Sequence, residues 1–134
     1  MGTRSLTILP GDDGESAVMY RQMDGYPSGH GQELADFLAG RRVVNGFHAG
    51  DNGFAFNGPG CAAAAIVARF KDEIGGIYLY PAGTRDMGEE YVYTVTVNGT
   101  DMWLRVEETH GGYVLFDGNT GVFDGKALEQ SEDA

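Results

Sequence analysis

The sequence predicts an α+β domain, with a largely antiparallel sheet of about five to six strands and two helices on one face. Three observations carry that prediction. Alternating apolar segments flank Asn98-Gly99, a tight hairpin signal. An alanine-rich stretch after Pro59 has the 3.6-residue period of a helix. The 22 glycines fall between apolar segments, where tight turns need them.

The elements follow in order. Arg4–Leu9 reads as a strand, Gly11–Gly14 as a turn, and Ser16–Met23 as a strand apolar on both faces, hence central. Asp24–Gly29 breaks the pattern, and Pro27 pushes Tyr26 towards extended backbone. Ser28 can cap a helix carrying Leu34, Phe37 and Leu38, with Gly40 as its stop. Arg41–Gly60 holds six glycines without sustained period and reads as a long loop. Its Phe47, Phe54 and Phe56 argue for order, and part of it can be a short strand.

Pro59 suits the first turn of the next helix, where its missing N–H is no loss. Ala63, Ile66, Val67 and Phe70 make its buried stripe, and Gly75-Gly76 its end. Ile77–Tyr80 is a short strand. Glu90–Val97 and Thr100–Glu107 form the hairpin, with Val97 expected opposite Thr100 and Val95 opposite Met102. Tyr91, Tyr93, Val95 and Val97 then share the core face, and Trp103 is the large ring of the other face. Tyr113–Phe116 can add a strand.

The length of 134 residues fits a single domain over 1–134 with an adequate core. Residues 130–134 form an acidic end expected to fray. The formal net charge is −11, from twenty acids against nine bases. Direct nucleic-acid binding and adhesion to an anionic membrane both draw on Lys and Arg, so that balance argues against them. It favours a basic protein surface as partner, beside the plainer role of keeping the chain in solution. Cys61 is the only cysteine, so no internal disulfide forms, as suits a reducing cytoplasm. No apolar run is long enough for a bilayer span, and Met1–Arg4 opens without an apolar signal stretch.

Five constellations bear on chemistry. Asn57-Gly58-Pro59-Gly60-Cys61 puts a glycine-rich turn before a helix, suited to an anion or to an activated thiol, or simply to a helix entry. The loop from Tyr80 carries Arg85, Asp86, Glu89 and Glu90. There Arg85 can clamp a carboxylate or phosphate, and Glu89 or Glu90 can serve as general base. The plainer alternative is a loop fixed by its own Arg–Asp pair. Arg21 interrupts an apolar strand and needs an acid partner, with Asp24, Asp86 and Glu89 as the choices. His30, His48 and His110 lie on separate loops without metal-ligand spacing, so neither a metal nor any other cofactor is expected. Asp117–Gly121 glances at a calcium loop, but Val122 and Leu128 occupy positions that such a loop needs for Gly and Glu.

Three runs resemble one family. They are Tyr20-Arg21-x-x-Asp24-Gly25-Tyr26-Pro27, then Asn57-Gly58-x-Gly60-Cys61-x-Ala63-Ala64 with Phe70-Lys71 at the helix end, and Gly76-x-Tyr78-x-Tyr80-Pro81-x-Gly83-Thr84-Arg85-Asp86-x-Gly88-Glu89-Glu90-Tyr91-x-Tyr93. Together they resemble a family of small uncharacterised proteins of phages, prophages and bacteria. Met87 stands where relatives are expected to carry a cysteine, which removes a two-cysteine site. The resemblance implies a cytoplasmic, mobile-element setting and carries over no catalytic residue.

The expectation is a non-enzymatic accessory protein of phage type. It would dock on a basic nucleic-acid-binding surface of a host defence protein, a counter-defence role. One alternative is a binder of a nucleotide or other phosphate-bearing small molecule, with Arg21, Tyr26, Tyr80, Arg85 and the Asn57–Cys61 turn lining one pocket. The other is a small hydrolase or transferase using Glu89, Glu90 or Cys61. The three motif-bearing loops are expected to meet at one end of the sheet, since the strand ends at Met23, Tyr80 and Glu90 lead into them.

Overall fold

The computed structural model describes residues 2–45, 55–72 and 74–133. Phe47, His48 and Phe54 lie outside them. The strands are β1 (Ser5–Gly11), β2 (Gly14–Arg21), β3 (Arg42–Val44), β4 (Ala55–Asn57), β5 (Ile77–Pro81), β6 (Tyr91–Asn98), β7 (Asp101–Glu108) and β8 (Tyr113–Asn119). The helices are α1 (Gln32–Leu38), entered through a π-helical turn at Pro27–Gly31, α2 (Gly58–Phe70) and α3 (Gly125–Asp133).

The fold is α+β, as the patterning implies, but the sheet is larger than expected and mixed. Its order is β4-β3-β7-β6-β1-β2-β5, with β8 also on β7. β1 runs parallel to β6, and β3 runs parallel to β4. The long loop expected over Arg41–Gly60 thus contributes two short strands. A third helix forms where only an acidic tail was foreseen. Its signal was Asp124, whose carboxylate accepts from the Ala127 N–H as a helix cap does.

One large core lies between the sheet and the helices. It joins Leu34, Ala35 and Leu38 of α1 and Ala62, Ala63, Ile66 and Phe70 of α2 to Tyr93, Val95, Met102, Leu104 and Val106. Val67, placed on the buried stripe by period, is half-buried. The other sheet face has a smaller core of Leu6, Ile8, Val18 and Tyr20, with Tyr80, Met87 and Val92 packed against it.

The β6–β7 hairpin keeps the expected faces but not the expected turn. Asn98 pairs with Asp101, Val97 with Met102 and Val95 with Leu104. The turn is therefore Gly99-Thr100, and only Gly99 takes the left-handed backbone, at φ 68°. Glycine at the first central position is the type II′ arrangement, whereas Asn98-Gly99 as a type I′ turn would need both residues left-handed. The partner shifts by two residues, so each side chain stays on its face.

Two helix ends also differ from expectation. Ser28 lies inside the π-helical turn, which Tyr26 precedes in extended conformation. The Ser28 N–H instead meets the Glu129 carboxylate of α3. α2 closes at Phe70, ahead of Gly75-Gly76.

Alternation along the sheet shows how two of its pairings end. In β1, Leu6, Ile8 and Pro10 turn their main-chain groups towards β6, and the parallel pairing stops at Ile8–Thr94. Pro10 has no N–H to offer the Val95 carbonyl, and its own carbonyl accepts from Ser16 Oγ at 2.7 Å. At the outer edge of β5, the residues facing away from β2 are Ile77, Leu79 and Pro81. The Ile77 N–H donates to Gly75 O and the Ile77 carbonyl accepts from Lys71 Nζ at 2.9 Å. Pro81 lacks a donor and its carbonyl accepts from Thr84. Leu79 alone is left to pair, so this edge is blunted against strand addition.

Candidate functional site

Arg21 ends β2 on the helix-covered face. Its Nε donates to Met23 O at 2.7 Å, and its Nη1 to His30 Nδ1 at 3.1 Å. Its acid partner is Glu33 of α1, at 3.5 Å, rather than Asp24, Asp86 or Glu89. An acid twelve residues on reaches it because the Pro27–Gly31 turn folds α1 back over the strand end.

His30 is fully buried. Its ring lies against Phe70, with centroids 4.7 Å apart, and edge-on to Tyr93 at 5.0 Å. Arg21 can only donate, so Nδ1 accepts, and Nε2–H donates to Thr7 Oγ1 at 2.6 Å. Burial, and secondarily the Arg21 charge, push the His30 pKa down from 6.5 to about 3. This histidine is neutral and structural at physiological pH.

The chain around it is held tightly. The Tyr93 hydroxyl donates to Gly25 O at 2.6 Å, and the His30 N–H donates to Asp24 O at 2.9 Å. Asp24 is left-handed at φ 62°, a conformation aspartate tolerates better than most residues. A Cβ on Gly25 would come within 2.8 Å of Ser5 Cβ and Thr3 O, so the segment lies on β1 too closely for any side chain. Tyr26 remains exposed. Beside this node an open cavity of about 280 Å³ is lined by Arg21, Arg69, Asp24, Glu33, Asp72 and Phe70.

Arg85 lies on the opposite sheet face. Its Nη1 and Nη2 grip the two carboxylate oxygens of Glu15 at 3.2 and 2.8 Å. That carboxylate also accepts from the Gly83 N–H at 2.6 Å. The Arg85 hydrogen bond is the main reason the Glu15 pKa lies below its ordinary value. Glu15 reaches this face because β2 bulges at Ser16: Leu9 pairs with Ala17, but Pro10 pairs with Glu15.

The rest of the loop is self-supporting. Asp86 is left-handed at φ 61°. The Glu89 carboxylate accepts from the Met87 N–H at 2.6 Å and from the Asp86 N–H at 3.3 Å. Glu89 therefore shapes its own loop. The Glu90 N–H donates to Arg4 O and its carbonyl accepts from Thr109. Tyr80 packs edge-on against Tyr20, with centroids 6.3 Å apart.

Asn57 ends β4 at the surface and Cys61 is half-buried in the first turn of α2. Pro59 shares a cavity with Arg85, whereas Arg21 and Tyr26 do not line it. The expected single pocket of Arg21, Tyr26, Tyr80, Arg85 and the Asn57–Cys61 turn is thus not formed: β1 and β2 separate the two arginines. Nor is an Arg85–Asp86 pair what fixes the loop. Among the described residues, no three His, Cys, Asp or Glu side chains are placed to hold a metal ion. No described helix is long and apolar enough to cross a membrane.

Residues that sequence reasoning missed are the partners: Thr7, Glu15, Glu33 and Tyr93. Glu15 carried a readable signal, an acid in an otherwise short-side-chain strand start, but the bulge that turns it to Arg85 is not local to the sequence.

An open groove of about 700 Å³ lies between this loop and the β7–β8 turn, lined by Asp86, Glu89, Glu107, Glu108 and Arg85. Arg85 is held by Glu15 and Glu107 is paired with Arg105 at 3.6 Å, so Asp86, Glu89 and Glu108 set the sign of the groove. Searches against family models, curated proteins and solved structures return no match to this chain.

Proposed function

We propose that this chain acts by binding rather than catalysis, presenting its acidic face to a basic surface of a partner protein that ordinarily holds nucleic acid. The acid-lined groove supports this reading best. Asp86, Glu107 and Glu108 rim an open concavity whose arginine is already paired. The net charge of −11 adds long-range steering towards a basic partner. The motif resemblance adds a phage or prophage setting, with a host defence protein as the partner.

The pocket and hydrolase readings draw less support. Arg21 and Arg85 stand on opposite faces, each with an acid partner. Glu89 is occupied in holding its loop.

The test is capture with tagged chain from host lysate at low salt, repeated with excess duplex DNA and with the triple variant Asp86→Asn, Glu107→Gln, Glu108→Gln. A stoichiometric nucleic-acid-binding protein that DNA displaces, and that the variant captures at least tenfold less, is the expected result. Capture unchanged by DNA, by salt and by the variant would overturn the proposal.

A further inference from the structure

Among the described residues, the sheet ends in three strands, β4, β5 and β8. β4 is three residues long, and the rim of β5 is blunted by Lys71 and Pro81. β8 differs from both. It has seven residues and pairs with β7 alone. The hairpin decides which of its residues face outward. The closing pair Asn98–Asp101 is hydrogen-bonded, so by alternation Arg105 and Glu107 also turn their main-chain groups towards β6. Their partners on β8 are Asp117 and Val114, which therefore turn theirs away from β7. Among the described residues, the main chain of Val114 and of Asp117 takes part in no turn or side-chain hydrogen bond either.

No Lys or Pro in Tyr113–Asn119 guards this edge. Its bulge sets Leu115 and Phe116 opposite Val106 and packs both against the core, which leaves Val114 and Asp117 outward on either side. Tyr113 and Val114 are 65% and 47% exposed. A Cβ on Gly111 would overlap the Tyr113 ring, so the ring lies across the turn whose Gly112 lines the acidic groove. An unpaired, apolar edge thus starts at a groove edged by Asp86, Glu89 and Glu108, and Asp117 adds an acid further along. Arg105 and Glu107 beside it offset each other.

We infer that the outer edge of β8 is a strand-addition site, which takes an extended, basic segment of the partner protein along Tyr113–Asp117. The choice of a basic segment rests on the acidic docking proposed above, while the free edge stands on the sheet topology alone. The incoming main chain pairs with Val114 and Asp117, and an apolar residue lies beside Val114. Basic side chains reach Asp117 at one end and the groove acids at the other, past the Tyr113 ring, whose face attracts cations.

The test uses the full chain, ¹⁵N-labelled, titrated with an acetylated, amidated Lys-Val-Lys-Val-Lys-Val hexapeptide. Three further titrations use the same peptide N-methylated at its four central amides, a Glu-Val counterpart, and the unmethylated peptide against Val114→Pro. The Val114 and Asp117 amides should shift and exchange at least tenfold more slowly with the Lys-Val peptide. N-methylation should weaken binding at least tenfold. Val114→Pro removes an outward N–H at a position where an edge strand tolerates proline, and should weaken binding to a similar extent.

No shift at Val114 and Asp117 up to millimolar peptide, or affinity within twofold after N-methylation, would overturn the site while leaving acidic docking to be judged by the Asp86, Glu107, Glu108 variant. Equal affinity for the Glu-Val peptide would overturn the basic occupant. Shifts along β8 that follow protein concentration without peptide would give the edge to a second copy of this chain and overturn the proposal too. If Val114→Pro does not fold, the N-methylated peptide on the unaltered chain still decides.

Discussion

Arg21 Nη1 donates to His30 Nδ1 over 3.1 Å, and this one hydrogen bond decides which nitrogen of the buried ring carries its proton. A second proton would have to sit at Nδ1, facing a guanidinium. The ring is therefore a pH-dependent element of stability, with a definite sign. Above pH 6.5 it is neutral in both folded and unfolded chains and adds no pH dependence. As pH falls from 6.5 towards about 3, only the unfolded chain takes up the proton. Stability then drops by about 1.4 kcal/mol per pH unit, which amounts to about 2 kcal/mol by pH 5. Urea unfolding at pH 7 and pH 5 measures it. The His30→Gln variant should lose most of that difference while being less stable at both pH values.

The Arg85–Glu15 pair should matter less to stability. Its two side chains are 40% and 25% exposed, and exposed pairs contribute about 0.2–1 kcal/mol. Glu15→Gln should cost about that much at pH 7. The Glu15 pKa lies below its ordinary 4.5, so the stabilisation is complete above 4.5 and is lost as pH falls further. Hydrogen exchange at Gly83 should quicken in the variant, since its N–H loses a charged acceptor. An unchanged Gly83 rate would show that the carboxylate does not hold the loop.

The core offers a sharper contrast. Ile66 and Leu104 are fully buried in the larger cluster, whereas Val122 is 72% exposed. Ile66→Ala or Leu104→Ala should cost about 2–5 kcal/mol, and Val122→Ala should change stability by less than about 0.5 kcal/mol. Thermal unfolding of the three variants tests the ranking.

Tyr93 joins the sheet to the segment that carries His30. Tyr93→Phe leaves the Gly25 carbonyl without this donor and should cost about 1–3 kcal/mol. The Asp24–Gly31 amides should exchange faster than those of β7 in this variant. A uniform change across the molecule would mean that the hydroxyl does not secure that segment in particular.

Lys71 covers the Ile77 carbonyl at the rim of β5, beside Leu79, which is 59% exposed. Lys71→Ala uncovers that carbonyl and should promote concentration-dependent self-association at near-unchanged monomer stability. Sedimentation of the variant from micromolar to millimolar concentration reads this directly.

What was legible in the sequence was local. The alternation of Tyr91, Tyr93, Val95 and Val97 marked the core face correctly, and Pro59 marked the entry to α2. The turn was misplaced because Asn98-Gly99 and Gly99-Thr100 satisfy the same face pattern, and only the backbone angle of Asn98 separates them. The β1–β6 pairing left no local trace, since a parallel partner can lie anywhere along the chain. The site was half legible. Arg21 and Arg85 were recognisable as charges needing partners. Their partners, Glu33 and Glu15, depended on a π-helical turn and a bulge, neither of which has a strong sequence signature.

The β1–β6 pairing also sets an order of events during synthesis. β1 and β2 can close as a hairpin as soon as they emerge, but β6 follows about 70 residues after Arg21. At ~5–20 residues per second, the ribosome needs roughly 4–14 s to deliver it. Until then the β6-facing edge of β1 is open beside Leu6 and Ile8, which the finished sheet buries. The nascent chain thus passes through a sticky interval that ends only when its second half arrives. Slower translation between Arg21 and Tyr91 should lower the yield of native protein, whereas slowing after Glu108 should not.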